Sequence, residues 1–425
     1  MSVAAVAATV KEVSSPGSAA TGGADELVIQ PRRGWINDPN GMLYRDGRWH
    51  VFFQHNPTAA FHADIHWGHV SSDDLVSWRE HPVPFGPMPD GPDRVGCWSG
   101  VCVDLGDRVA AVYSGMVIEP HDSTVCIRYA SDPDLDHWSD PLGVARVPAL
   151  PPDQTQVREM RDPFVFQWGG RRWALVGAGL ADGTPAVLLW SCVDLETWRF
   201  DRVWLTGDDP VLAPAASAEI WECPQLVQID GSWALLLSIW RDNYLEGTVA
   251  AVGSLDTEPD GSPHLSVRTC RRVDEGRSLH APQVGVDADG PWFLGWVMQD
   301  GDPEREVAGC LSLVRRLRID GDRLLSRVDD RQRTLLGAMV AVDEDGTLPA
   351  YAHLEATDEA VTVRGRELSV TVQPGAEAWF DGEVLEVYLA DAPPRTYRDA
   401  GTAAWRLAEP QRSTVIRWAA RVNAT

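Results

Sequence analysis

Short apolar, aromatic-rich runs alternate with turn signals along most of the chain. Residues 48–53, with Trp49, Phe52 and Phe53, follow Asp46-Gly47; residues 171–176 follow Gly169-Gly170. Gly231-Ser232-Trp233 opens a third run of the same kind, through Leu237. Runs of this length and composition behind a Gly turn read as β-strands. A longer period overlies the strands. Ser72-Asp73-Asp74-Leu75-Val76-Ser77-Trp78 resembles Asp132-Pro133-Asp134-Leu135-Asp136-His137-Trp138 and Cys192-Val193-Asp194-Leu195-Glu196-Thr197-Trp198. The three tryptophans stand 60 residues apart, and Gly253-Ser254-Leu255-Asp256 echoes the motif about one period later. Fixed self-similarity at this scale marks repeated supersecondary units. Some four strands fit in one period at ordinary strand and loop lengths. The pattern therefore predicts an all-β chain with five four-stranded blades, a β-propeller over residues 26–335. Beyond it, residues 360–363, 368–372 and 384–389 read as strands between Gly, Asp and Pro turns. They predict a small β-sandwich over residues 336–425. Residues 1–25, rich in Ala, Ser, Thr and Gly, predict a disordered tail.

Composition narrows the class of partner. Of 425 residues, 44% are hydrophobic, and no run reaches the roughly 18 apolar residues of a membrane helix. The 37 basic and 62 acidic residues give a net charge of −25, which disfavours nucleic acid and anionic membranes and suits a neutral sugar. Seven scattered cysteines show no zinc-site spacing. They read as free thiols, and with no basic residue ahead of the short apolar run at residues 3–10 the expected location is cytoplasmic. His55, His66 and His69 lack a metal-ligand pattern supported by carboxylates, so neither a metal nor a cofactor is expected.

Three acidic residues fall on the period. Asp38 lies in Trp35-Ile36-Asn37-Asp38-Pro39-Asn40-Gly41, Asp162 in Arg161-Asp162-Pro163, and Glu222 in Trp221-Glu222-Cys223-Pro224. Glu222 follows Asp162 by 60 residues, and Asp162 follows Asp38 by about two periods. Equivalent positions in successive blades surround one axis, so the three are expected to converge in one funnel. Glycoside cleavage requires such convergence: one ionised carboxylate attacks the anomeric carbon while a protonated one assists the leaving oxygen. A third, beside Arg161, would stay charged and hold sugar hydroxyls. Crowding raises the pKa of the most buried and least hydrogen-bonded member, and Glu222, between Trp221 and Cys223, is expected to be that member. Any one of these residues alone would read as a turn or surface charge; their shared phase carries the reading.

At these positions the chain resembles glycoside hydrolase family 32, the invertase, fructanase and sucrose-6-phosphate hydrolase family. Residues 35–41, 161–163 and 222–223 look like its three signature motifs. Phe53-Gln54-His55-Asn56-Pro57, His66-Trp67-Gly68-His69, Trp98-Ser99-Gly100, Tyr113-Ser114-Gly115, Ala281-Pro282-Gln283 and Gly295-Trp296 follow in the family's order. The resemblance implies a five-bladed propeller with a β-sandwich and metal-independent, retaining cleavage of β-fructofuranosides. It implies Asp38 as nucleophile, Asp162 as transition-state stabiliser and Glu222 as acid/base. Asn37, Gln54, Trp98, Ser99, Arg161 and Trp296 would line the fructosyl pocket.

There are departures from the family pattern. His62 stands where many members carry tryptophan, and either touches the sugar or lines the rim. His280 stands where tyrosine is common, and the C-terminal region is shorter than the family's sandwich. The expected substrate is sucrose or a short fructo-oligosaccharide. Fructan hydrolysis, sucrose 6-phosphate hydrolysis, fructosyl transfer, an arabinofuranosidase activity and a sugar-binding protein without catalysis are the alternatives. The aglycone side would be formed by residues 57–64, 85–94 and 241–247, where Arg94 and Arg241 are candidates for a phosphate. Oligomeric state is not legible.

Overall fold

In a computed structural model, the structure describes residues 27–118, 122–242, 244–340, 342, 345–409 and 415–419. The N-terminal tail expected over residues 1–25 lies outside them. Five antiparallel sheets follow one another in chain order. Blade I holds Gly34–Arg45, Arg48–Asn56, His66–Ser72 and Arg79–Glu80; blade II holds Gly96–Asp104, Val109–Ile118, Asp122–Tyr129 and Leu142–Arg146. Blade III holds Val157–Trp168, Arg171–Leu180, Pro185–Cys192 and Trp198–Thr206; blade IV holds Ile220–Ile229, Ser232–Arg241, Tyr244–Thr257 and Pro263–Arg272. Blade V holds Leu279–Asp287, Gly290–Val297, Arg315–Asp320 and Arg323–Val328. The first strand of each blade touches the first strands of both neighbours, blade V closing onto blade I. Strand pairing also closes the ring: Val307–Ala308 pairs in parallel with Gly34–Arg45, and Cys310–Leu311 then pairs with Gly290–Val297. One short segment thus bonds to the first and last blades.

The repeated tryptophan motif is a turn at the outer side of a blade. Leu75, Leu135 and Leu195 are its buried members, all at positive φ (60°, 61° and 67°). The indoles of Trp138 and Trp198 donate to the carbonyls of Leu135 and Leu195 (2.9 and 2.5 Å). Asp74 and Asp194 accept two main-chain N–H bonds each across the same turn. The residue after the leucine docks on the preceding blade. Val76 packs with Leu313 and Val328 of blade V, and Glu196 accepts from the Tyr129 hydroxyl of blade II. The motif is therefore a blade-to-blade fastener, and its half-buried tryptophans pack against the blade cores.

A 3-10 turn, Asp330–Leu335, leads into the last two sheets. One runs in the order Leu336–Val340, Val415–Ala419, Tyr351–Glu355, Glu377–Asp381, Val384–Tyr388, Arg395–Arg398; the other holds Ser369–Val372, Val361–Arg364 and Arg406–Leu407. Leu354, Phe380 and Leu385 of the first sheet meet Val363, Val372 and Leu407 of the second in one buried cluster, the interior of a small sandwich. A charged network ties this sandwich to blade V. Arg315, fully buried, donates to Glu386 (2.7 Å), Asp274 (2.9 Å) and Thr396 (2.6 Å).

Candidate active site

Every innermost strand carries the same irregularity. Against its neighbour it holds one extra residue between Ile36 and Pro39, Cys97 and Gly100, Arg161 and Phe164, Glu222 and Gln225, and His280 and Gln283. A bulge bends a strand and re-aims its side chains; five in phase re-aim five strands at one end of the axis. Proline follows or occupies the bulge in blades I, III, IV and V, where its missing N–H leaves no ladder bond unmade. Asp162, Cys223 and Ala281, the first bulge residues of three blades, have φ of 62°, 47° and 46°. Non-glycine residues there carry strain of about 1–2 kcal/mol each, held by the surrounding blades. Packing around the bulges is close. A Cβ on Gly177, beside the blade III bulge, would lie 2.2 Å from the Trp221 carbonyl oxygen of blade IV.

The three carboxylates occupy three successive bulge positions, not equivalent ones as their spacing suggested. Glu222 precedes its bulge, Asp162 is the first bulge residue and Asp38 the second. That stagger gives them different exposures: Asp162 is buried, while Asp38 and Glu222 are part-exposed.

Asp38 sits in a nest of donors. Its Oδ2 accepts from Ser99 Oγ (2.6 Å) and Gln54 Nε2 (3.1 Å), and its Oδ1 from Asn37 Nδ2 (3.1 Å). Asn37 is itself oriented by the Trp35 indole (2.9 Å). Burial pushes the Asp38 carboxyl up, against the pull of Ser99. Cys223 Sγ lies 3.6 Å from Asp38 and 3.5 Å from Asp162, and the Cys223 amide donates to Asp162 (3.0 Å). Burial raises this thiol far above its usual range, so it is a neutral spacer between two acids. The Asp162 amide donates to Ser114 Oγ (2.7 Å), which fixes its left-handed backbone.

Arg161 joins the rest. Its Nε donates to Glu222 Oε1 (2.9 Å) and its Nη1 to Glu159 Oε2 (2.7 Å), with Trp240 under the guanidinium at 4.8 Å. Glu222 Oε2 also lies 3.4 Å from His280 Nε2. These contacts reverse two expectations, that Glu222 would be the raised acid and that Asp162, beside Arg161, would stay charged. Burial does push Glu222 up, but Arg161 and His280 outweigh it and hold its carboxyl below the usual range. Asp162 is the raised member, at about 7, because burial and then Glu222 disfavour its charge. Glu222 alone was expected to be raised because its partners, His280 and the reach of Arg161 across blades, are invisible in its own neighbourhood of sequence. The two acids titrate as a pair, and burial favours the neutral form at Asp162 over Glu222.

Of the expected pocket residues, Asn37, Gln54, Ser99 and Arg161 meet the carboxylates directly. Trp296 lies opposite His280 in register and edge-on to Trp35 (5.7 Å). Trp98 is edge-on to His62 (5.3 Å), which is solvent-exposed. Gln54 Oε1 and the indole nitrogens of Trp98 and Trp296 are buried without a hydrogen-bond partner. Buried polar atoms in that state are unusual, and hydroxyls of a bound sugar would satisfy them. Glu159 escaped the sequence reading; strand alternation puts it on the face of Arg161, two residues away.

Residues 29–328 match the model of the glycosyl hydrolases family 32 N-terminal domain. The chain belongs to this family. Among curated family 32 relatives, the sucrose-6-phosphate hydrolase of Escherichia coli is 30% identical over 318 residues, 70% of this chain and 63% of the relative. A probable sucrose-6-phosphate hydrolase of Psychromonas ingrahamii is 34% identical over 332 residues, 75% of this chain and 58% of the relative. The chain thus spans about 60% of the length of these relatives. A family 32 β-fructofuranosidase of Bombyx mori superposes with a TM-score of 0.74 at 23% identity, covering 93% of each chain. Sucrose-6-phosphate hydrolase from Lactobacillus gasseri superposes at 0.73 with 20% identity, again over 93% of each. The fold is that of family 32, a β-propeller with a β-sandwich.

Proposed function

We propose that this chain is a retaining glycoside hydrolase that releases terminal β-D-fructofuranosyl units from sucrose or short fructo-oligosaccharides. The single observation that carries the reading is the contrast between two part-exposed carboxylates, Asp38 and Glu222, and a third, Asp162, buried beside them. Asp38, oriented by Asn37, Gln54 and Ser99, attacks the anomeric carbon. The bond to the aglycone oxygen breaks as Glu222 delivers a proton to that oxygen. In the second half Glu222 takes a proton from water, the water oxygen attacks the anomeric carbon, and Asp38 departs ionised. The proton must reach Glu222 first. Sugar hydroxyls donating to Asp162 favour its ionised form, and an aglycone covering Glu222 favours its neutral one. Substrate binding therefore moves the pair's proton from Asp162 to Glu222.

A neutral aglycone is favoured by Arg241, which is committed to Glu246 through both carboxylate oxygens (2.6 and 2.7 Å). Sucrose 6-phosphate is the second reading, on the names of the curated relatives, with the exposed Arg94 as its cation. Seven free cysteines suit a cytoplasmic location. The propeller is assigned to residues 26–335 and the sandwich to 336–425. The test is fructose release from sucrose, sucrose 6-phosphate, a short fructo-oligosaccharide and inulin, by wild type and Asp38→Ala, with the first-formed anomer read by NMR. Release of the β-anomer by wild type only supports the proposal. No release from any of the four by folded wild type overturns it.

A further inference from the structure

Tryptophan in this chain is a core residue, with one exception. Among the described residues, every tryptophan side chain but that of Trp240 belongs to a hydrophobic cluster of the blades or the sandwich. Trp240 is half-buried at the end of the second strand of blade IV. The group against its ring is the Arg161 guanidinium of blade III, 4.8 Å from the centroid. An indole kept out of every core contributes little of the apolar burial that its size allows. Placed at a pocket, it offers that face to a ligand.

Strand register places Trp240 relative to the acids. Across the first two strands of blade IV, Glu222 pairs with Ser238 and Ile220 with Trp240. The open end is where the innermost strands begin, so Trp240 stands two residues nearer to it than the partner of Glu222. At ordinary strand rise that is about 6–7 Å. Arg161 links the two levels, since its Nε holds Glu222 while the indole covers the same guanidinium. Asp162, buried against Cys223, lies on the closed side. The hairpin after Trp240 is pinned at that height. Leu245, its cross-strand partner, packs with the cluster that contains Trp98 and Trp296. Arg272 donates to the Glu246 carbonyl (2.7 Å). Trp240 and Leu245 therefore form one apolar face at the pocket, on the solvent side of Glu222.

We propose that Trp240, extended by Leu245, is the platform on which the leaving sugar rests, and that it selects a pyranose ring there. The inference rests on the fructosidase reading above. In that reaction the fructosyl unit lies at Asp38 and the leaving oxygen meets Glu222, so the aglycone continues outward past Trp240. With Arg161 on one face of the indole, the other is left for the sugar. An α-glucopyranosyl ring carries its ring hydroxyls equatorially and presents axial C–H bonds on a flat face, which an aromatic ring covers well. A furanosyl ring is puckered, with hydroxyls on both sides, and has no such face. Sucrose is therefore preferred to fructosides whose leaving group is a second fructose. Trp240 lies in none of the motifs that carry the family resemblance.

The test compares kcat/KM for sucrose, 1-kestose and methyl β-D-fructofuranoside, whose leaving group has no ring, in wild type, Trp240→Leu and Trp240→Tyr. A loss common to all three measures what the indole does for Arg161, so the readout is the ratio of sucrose to the methyl fructoside. Trp240→Leu should lower that ratio about tenfold. Trp240→Tyr, which keeps an aromatic face, should restore most of it, and the ratio of 1-kestose to the methyl fructoside should change much less. An unchanged sucrose ratio in folded Trp240→Leu overturns the inference, as does an equal fall for 1-kestose. Should Trp240→Leu fail to fold, wild type decides: a higher kcat/KM for sucrose than for 1-kestose supports the selection, and the reverse order overturns it. In each of these cases fructose is still released, and the hydrolase reading stands. No release from any of the three by folded wild type overturns that reading, and this inference with it.

Discussion

Two buried arginines, built from the same chemistry, do opposite things in this molecule. Arg315 holds Asp274 and Glu386 at the junction of blade V and the sandwich. Arg161 holds Glu159 and Glu222 at the end of the propeller axis. At the junction one cation faces two acids, and Thr396, the Tyr388 hydroxyl and the Leu313 amide take up remaining oxygens. At the axis Arg161 serves Glu159 and Glu222, Arg158 also pairs with Glu159 (2.7 Å), and Asp162 and Asp38 lie close by, accepting from Cys223 and from Ser99, Gln54 and Asn37. Burial and then the Glu222 charge raise Asp162, while Arg161 and His280 outweigh burial and hold Glu222 low. Exposure completes the contrast: Asp274 and Glu386 are sealed, whereas Glu222 is 14% exposed on its side chain. Sealed acids with every oxygen bonded make a structural joint. Acids open to solvent and to one another make a place where protons move.

The largest effect is expected at Asp38. Asp38→Ala should lower fructose release by about four orders of magnitude or more while leaving the urea midpoint nearly unchanged or slightly raised, since a carboxyl whose charge its surroundings disfavour is removed. A large stability loss without loss of rate would put Asp38 in the structural class. Next in size is the junction. Arg315→Met leaves Asp274 and Glu386 buried without their cation and should destabilise by about 3–5 kcal/mol in urea unfolding. The triple variant with Asp274→Asn and Glu386→Gln should recover much of that. A neutral Arg315→Met would mean that the joint contributes nothing.

Asp162→Asn tests the raised acid. A carboxyl raised from 3.8 to about 7 takes up a proton on folding between those values, so the native state binds more protons there. Its contribution is complete below about pH 4 and is lost as pH rises through 7. Wild-type stability should fall over that window by an amount on the order of a few kcal/mol, one pKa unit being about 1.4. Glu222, held low, acts with the opposite sign and only at more acid pH. The Asn variant should lack the fall and be the more stable protein at pH 8, with fructose release lowered about 10²–10³-fold. An unchanged pH slope would remove Asp162 from the role of proton holder.

How far these features were legible follows from how local they are. The blades were readable because Leu75, Leu135 and Leu195 each sit at positive φ in a turn held by an aspartate, with a tryptophan three residues on, and that pattern repeats in sequence. The pocket was readable because Asp38, Asp162 and Glu222 recur near the period of the blades, in motifs that resemble those of family 32. The stagger of Asp38, Asp162 and Glu222 within the bulges was not, since spacings of about 60 residues do not resolve a single-residue shift. Partners from other blades were equally hidden. Trp240 against Arg161, and His280 beside Glu222, are brought together by the ring of blades, and no period in the chain announces either pair.

His280 offers the finest test of the axis. Its Nε2 lies 3.4 Å from Glu222 Oε2 and adds to the pull of Arg161 on that carboxyl. His280→Gln keeps the size and a donor but removes any positive charge, so the Glu222 carboxyl should rise. The proposed acid must be protonated when the aglycone leaves. The high-pH limb of the rate profile should therefore move upward, with the maximal rate little changed. A limb that stays fixed in His280→Gln but moves in Asp162→Asn would show that the profile follows the buried carboxyl. The proton would then be held at Asp162 until the step itself, and Glu222 would serve only to pass it on.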